Sequence, residues 1–166
     1  MPAAATVQTN AILALRIRAI RSGDAAAIAA IDAAHTGLLK RRYWRDVVTR
    51  HAGRGRAGGA RVGLVAVEGA KGRVVGYVMG RVRSFEFGSE PCAWIVALGV
   101  HPRMLRGGVA SRLFAEACRR FAQHGITLVR TMVRRDDVGV LTFFRSQGFV
   151  AGPYVELELS IPETTP

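Results

Sequence analysis

The groups best suited to chemistry in this chain belong to its main chain. Leu105-Arg106-Gly107-Gly108-Val109-Ala110 joins two segments of different periodicity. Its glycines allow a sharp turn and leave no Cβ in the path of a ligand. The segment that follows carries Val109, Leu113, Ala117 and Phe121 at every fourth position, with Ala110, Phe114 and Cys118 beside them, which predicts an amphipathic helix. The first N–H groups of such a helix have no internal partner and bear partial positive charge, so the turn suits a phosphate. The segment before it, Ala93 to Val100, is apolar at Trp94, Ile95, Val96, Leu98 and Val100, which predicts a buried strand ended by Pro102. A run this short cannot span a bilayer.

Side chains able to move protons are sparse nearby. The loop Ser84 to Pro91 carries Glu86 and Glu90, for which an ordinary surface acid is the plainer alternative. His101 beside the turn reads as a cap or surface residue. Cys92 and Cys118 show no metal or redox spacing and read as small buried apolar groups in a reduced compartment. No His/Cys/Asp cluster suggests a metal. Gly53-Arg54-Gly55-Arg56-Ala57-Gly58 matches G-x-G-x-x-G, but a helical pattern precedes it and a strand pattern follows. That is the reverse of a dinucleotide site, so a loop is the reading. It is also similar to a short Arg/Gly RNA-binding segment.

At 166 residues the chain is expected to form one domain, 1–166, with residues 1–10 as a loose tail. The 24 Lys and Arg against 12 Asp and Glu leave a net charge of +12. Such a field attracts nucleic acid, an acidic membrane face or a phosphorylated cofactor. A composition rich in arginine and alanine is the bland account of the same number. Residues 1–60 carry ten basic and three acidic side chains, net +7, while 151–166 hold three glutamates and nothing basic. No secretory leader or membrane segment is evident, which predicts a soluble cytoplasmic protein.

Further elements follow from patterning. Ala14 to Ile20 alternates as a strand. Ser22-Gly23-Asp24 opens a helix through Ala34, and Leu39 to His51 forms a second, basic helix bearing Tyr43 and Trp44. Val62 to Val67 and Val74 to Val82 are strands around a hairpin turn. Gly76 and Gly80 in the second of these mark a bulge or close contact. After the long helix come a strand at Ile126 to Val133, a short helix from Asp136 or Asp137 to Gln147, and a last strand at Val155 to Ile161. Gly125 and Gly148 serve as left-handed helix stops. The order implies an α/β or α+β mixed sheet whose first strands run antiparallel.

Val100-x-Pro102 followed by Arg106-Gly107-Gly108-Val109-Ala110-x-x-Leu113 resembles motif A of the GNAT superfamily, the acetyl-CoA-dependent N-acetyltransferases. The consensus Gln/Arg-x-x-Gly-x-Gly/Ala falls on Leu105 to Ala110, with Leu105 departing from its first position. Arg103 and Arg106 are candidates to replace the missing polar contact. Asp137 to Phe149 resembles the second landmark of the family, with Asp137 at an Asn position, Val140 at an Ala, Phe144 at a Tyr, and then Gly148-Phe149. The two landmarks and the strand order cover roughly residues 14–160.

The resemblance implies a mixed sheet flanked by helices, with acetyl-CoA as cosubstrate. Its cofactor site would comprise Leu98, Gly99, Val100, Leu105, Arg106, Gly107, Gly108, Val109, Ala110, Ser111, Asp137, Val140 and Phe144, and no metal. The central strand would part from its parallel neighbour at a bulge, and a main-chain N–H, that of Leu98, would face the thioester oxygen. The first strand and two helices would wall the acceptor site. Transfer to an amine needs a proton removed, an oxyanion stabilised and a thiolate released. Phe144 has no proton to give, and Trp94 and Met132 stand where relatives carry glutamate. Glu90 and Tyr154 are the side-chain catalytic candidates, with Glu86 and Ser146 behind them. The expected function is acetyl transfer to a primary amine, small molecule or peptide, by direct attack in a ternary complex. The family also includes many homodimers. The alternative is a non-catalytic module of the same fold that holds acyl-CoA or nucleic acid.

Overall fold

A computed structural model of the chain describes residues 15–53 and 60–161. The expected tail at 1–10 and residues 54–58 of the Gly53–Gly58 motif lie outside the described residues.

The chain divides into two units, Met1–Met132 and Val133–Pro166. In the first, strand β1 (Arg16–Ala19) leads into helix α1 (Ala25–Thr36) and helix α2 (Arg41–Ala52). Asp24 does more than start a helix. Its carboxylate accepts from Arg21 N at 2.7 Å and from both Arg18 Nη atoms at 2.8 and 2.7 Å, tying β1 to α1. Arg18 holds this carboxyl below its usual range although burial pushes the other way. Gly37 then ends α1 in the left-handed region at φ 72°.

Strands β2 (Arg61–Glu68), β3 (Arg73–Arg83), β4 (Cys92–Val100) and β5 (Val129–Arg130) complete a five-stranded sheet in the order β1-β2-β3-β4-β5. The first three pairings are antiparallel, as the patterning implied. The fourth, β4 with β5, is parallel. Helix α3 (Val109–Ala122) makes the crossover that a parallel pair requires.

Alternation along each strand assigns the two faces. Val65, Val67, Tyr77 and Met79 pack with Ile28, Ile31, Trp44, Val47 and Val48 of α1 and α2. On the opposite face α3 presses so close that glycine is required. A Cβ at Gly76 would meet Leu113 and Val109 at 3.1 Å, and one at Gly80 would stand 2.9 Å from Phe121 Cζ and 2.8 Å from the Trp94 carbonyl oxygen.

The second unit holds helix α4 (Val138–Ser146), started by Asp137, whose Oδ1 accepts from Val140 N at 3.0 Å. Two expectations need correction. The strand drawn over Ile126 to Val133 shrinks to Val129–Arg130, and Val155 to Ile161 forms no strand. Val155, Leu157, Leu159 and Ile161 are each exposed. Alternation tells which side chains share a face; it supplies no neighbouring ladder, and a strand needs one. No described helix is long and apolar enough to cross a membrane.

Candidate active site

The site grows from a fault in β4. Against β3, Val100, Gly99, Leu98 and Ala97 pair with Gly76, Tyr77, Val78 and Met79, but Gly80 pairs with Ile95. Val96 is the extra residue of a bulge. On the other edge β4 meets β5 only at Ala93 with Val129 and Trp94 with Arg130. Ala93 N donates to Leu128 O at 2.9 Å, and Thr131 Oγ1 donates to Ile95 O at 3.2 Å. Past Ile95 that edge has no strand partner among the described residues.

The bulge also inverts the phase of the main chain. Ala93 and Ile95 bond toward β5, whereas His101 N donates to Val75 O on the β3 side at 2.8 Å. Successive residues of a strand point their N–H and C=O to alternate edges. Gly99 and Ala97 therefore face β3 with His101, and Leu98 and Val100 face the open edge. His35 Nε2 of α1 donates to Val100 O at 2.7 Å. The Leu98 N–H is thus aimed at the split.

Beyond β4 the chain makes a tight turn, Pro102–Met104, capped by His101, whose Nδ1 accepts from Arg103 N at 3.2 Å. Arg106 at φ 61° and Gly108 at φ 72° are both left-handed. Such turns gather successive N–H groups into an anion-binding hollow. Gly108 starts α3 with no side-chain cap, and the first turn carries no acid. A Cβ at Gly108 would meet nothing within 4 Å, so the space over the turn is open. Arg103, Leu105 and Arg106 are exposed around it. A helix start without a side-chain cap, open space and basic flanks are what a diphosphate requires, so residues 105–111 could hold one.

On the face under α1 and α2, Asp32 Oδ2 accepts from Trp44 Nε1 and from Lys40 Nζ, each at 2.9 Å. Tyr43, Trp44 and Tyr77 stand edge to face in a chain, with centroids 5.1 and 5.2 Å apart. Trp44 is 4% exposed and packs its helix down, whereas Tyr43 is 53% exposed. Tyr77 lies opposite Gly99, and a Cβ at Gly99 would stand 2.7 Å from its hydroxyl oxygen. Burial pushes the Tyr77 hydroxyl far above its ordinary pKa, with Asp32 and Tyr43 adding to the effect. Farther down the strand the Arg83 guanidinium stacks 5.4 Å over Trp94.

The family model described as "Acetyltransferase (GNAT) family" matches residues 30–149. This chain belongs to that family. No curated protein matches the sequence. Among solved structures, the aminoglycoside 6'-N-acetyltransferase AAC(6')-Ih of Acinetobacter baumannii is similar at 15% identity and TM-score 0.70, over 89% of this chain and 99% of that one. A ribosomal-protein-alanine N-acetyltransferase of Brucella melitensis biovar Abortus 2308 is similar at 16% and 0.68, over 90% and 100%. The aminoglycoside N-acetyltransferase AAC(6')-Iy, solved in complex with CoA, is similar at 15% and 0.73, over 88% and 94%. At these identities the likeness is one of fold.

Within this GNAT domain the sequence-chosen residues fare unevenly. The first unit sets Leu98 and Val100 on the open edge, with Gly99 between them facing β3, and runs on from Val100 into the turn at Leu105 to Ser111. Glu90 does not join them. It is exposed, two residues before the start of an extended strand. At about 3.3 Å per residue, roughly 25 Å of chain separates it from Leu98. Glu86 is held in an ion pair by Arg83. In the second unit Asp137 and Val140 form the start of α4. Ser146 Oγ there donates to Phe143 O at 2.6 Å. Phe144 is buried between Phe143 and Phe149, at 5.2 and 5.0 Å between ring centroids. Tyr154 lies exposed in the irregular segment after α4.

Sequence reasoning missed Tyr77, Asp32 and His35. Tyr77 is one polar tip inside an apolar strand, and only the register against Gly99 reveals where that tip goes. Asp32 and His35 sit one turn apart on α1, which could have flagged a shared face.

Proposed function

We propose that this chain moves an acetyl group from acetyl-CoA to a primary amine by direct attack in a ternary complex. The observation that carries this reading is the split at Val96, which turns the Leu98 N–H outward on the strand that leads into the phosphate turn. A diphosphate held at residues 105–111 would orient its thioester arm along the open edge of β4. The Leu98 N–H is then the donor for the oxyanion, a preformed dipole that need not reorganise as charge develops. The amine would enter from the face of α1 and α2, where Asp32, Tyr43 and Tyr77 lie.

Neighbouring folds support the reading. AAC(6')-Iy was solved with CoA and with a bisubstrate analogue, CoA-S-monomethyl-acetylneamine, and a soil metagenomic aminoglycoside acetyltransferase was solved with sisomicin. Here Asp32 is already paired with Lys40. That favours an acceptor presenting a single ammonium over a polycation. Calorimetry with CoA and acetyl-CoA, followed by thiol release across an amine panel, tests the proposal. Micromolar binding and turnover of at least one amine are expected. Absence of CoA binding ends it.

A second reading, a module that holds acyl-CoA without turnover, is favoured by Phe144 at the usual tyrosine position and by the remote placement of Glu90. Tight acetyl-CoA binding with no thiol release, hydroxylamine included, would establish it.

A further inference from the structure

Aminolysis of a thioester leaves one proton to be lost by nitrogen and one to be gained by sulfur. The polar side chains near the split are mostly spent. Asp32 accepts from Trp44 and Lys40. The His35 Nε2 hydrogen is committed to the Val100 carbonyl. Tyr77 differs. It is 4% exposed, yet its hydroxyl has no hydrogen-bond partner among the described residues. Unlike His51 Nε2, that oxygen is not among the fully buried polar atoms left without a partner, so it keeps some access to solvent and can meet a ligand.

The placement of that hydroxyl is specific. Tyr77 and Gly99 are directly opposed on the face under α1 and α2. Because residue 99 is glycine, the ring lies over β4 itself, with Cε1, Cζ and the hydroxyl oxygen all 2.7 Å from where a Cβ would be. The hydroxyl therefore reaches the strand whose far edge is open, one residue from Leu98. Trp44 abuts the ring edge to face and fixes it.

We propose that Tyr77 is the proton relay of the transfer: its hydroxyl gives its proton to the departing sulfur and takes one from the attacking nitrogen. The bond from carbon to nitrogen forms and the bond from carbon to sulfur breaks. Tyr77 ends as it began, so no further acid or base is consumed. A neutral hydroxyl, donor and acceptor at once, is the form a relay needs. Burial and the nearby Asp32 keep Tyr77 in that form. This inference rests on the acetyltransferase reading above.

Tyr77→Phe is the clean test, because it keeps the ring and removes an oxygen that makes no internal bond. Melting temperature and the KM for acetyl-CoA should be unchanged. With hydroxylamine as acceptor, kcat should fall by about 10²-fold or more, the range for a positioned acid–base group. A second readout needs no turnover. The thiol of bound CoA, titrated by the ultraviolet absorbance of its thiolate, should ionise about one pH unit lower in the wild type than in the variant, because a donor on sulfur favours the anion. The relay stands only if both readouts move; equal kcat or equal thiol titration overturns it. If CoA does not bind the wild type, the acetyltransferase reading itself fails and takes the relay with it. If CoA binds and Tyr77→Phe is indistinguishable, the relay alone fails.

Discussion

The two halves of β4 share one backbone and do opposite work. From Cys92 to Ile95 the strand is laddered to β3 on one edge and to β5 on the other. From Ala97 to Val100 it keeps β3 and has no strand on its second edge among the described residues. Val96 separates the halves, and the phase of the main chain reverses across it. One half anchors the strand; the other exposes N–H and C=O groups that a closed sheet would consume. A single inserted residue thus accompanies an open edge on a strand whose other half lies between two neighbours.

The largest effect expected from breaking this contrast lies at the turn that serves the open half. Gly108→Asp should weaken CoA binding by at least about a thousandfold, or about 4 kcal/mol. An L-residue at φ 72° is strained, and its carboxylate would oppose the diphosphate. Calorimetry measures this directly, and a loss below tenfold would move the cradle away from α3.

A pair of glycines sharpens the contrast between the halves. Gly80→Ala strikes the anchored half, where the new methyl would meet the Trp94 carbonyl oxygen at 2.8 Å and the packed Phe121 ring at 2.9 Å. Neither can retreat cheaply, so a loss of about 2 kcal/mol in denaturant unfolding is expected. Gly99→Ala strikes the open half, where the new methyl would meet only the outer atoms of Tyr77 within 2.7 Å. Only the far end of that side chain, and no backbone, has to shift, so stability should fall by about 1 kcal/mol, while kcat with hydroxylamine falls about tenfold. If Gly99→Ala costs more stability than Gly80→Ala and leaves turnover intact, the division of labour is wrong.

How far the sequence foretold these features depended on range. The turn at Leu105 to Ala110 and the start of α3 were legible because capping and glycine rules act over a few residues. Gly76 and Gly80 were legible as sites of close approach, since a glycine inside a strand has few other uses. The bulge at Val96 was not. An apolar run reads the same with or without an extra residue, and only pairing to β3 exposes the slip. Tyr77 was hidden for the same reason: its role follows from a partner on another strand. Glu90 and Glu86 were chosen for lying near the central strand in sequence, but an extended strand carries its ends far apart. The last strand failed because alternation at Val155 to Ile161 names a face and no partner.

The smallest predicted effect serves as a control, since it perturbs the sheet away from both halves of β4. His51 lies near the end of α2, beside Gly63 of β2, with Nδ1 donating to Val47 O at 2.9 Å and Nε2 buried without a partner among the described residues. Burial pushes its pKa below the usual value. Arg61 of β2, Arg81 of β3 and Arg50 of α2 push the same way, against the pull of the Val47 carbonyl. The unfolded chain therefore binds a proton on this residue more readily than the folded one. Its contribution to stability is whole above about pH 6.5 and is lost as pH falls toward the depressed folded value. One proton limits the slope to about 1.4 kcal/mol per pH unit. Urea unfolding of the wild type should show the midpoint dropping below pH 6.5, and His51→Gln should flatten that part of the profile. CoA affinity at fixed pH should be the same in both proteins, because among the described residues His51 contacts Val47 and Gly63, away from the turn and the open half of β4. A His51→Gln variant that weakened CoA binding would mean that the two ends of the sheet are coupled, and the local account of the split would have to give way.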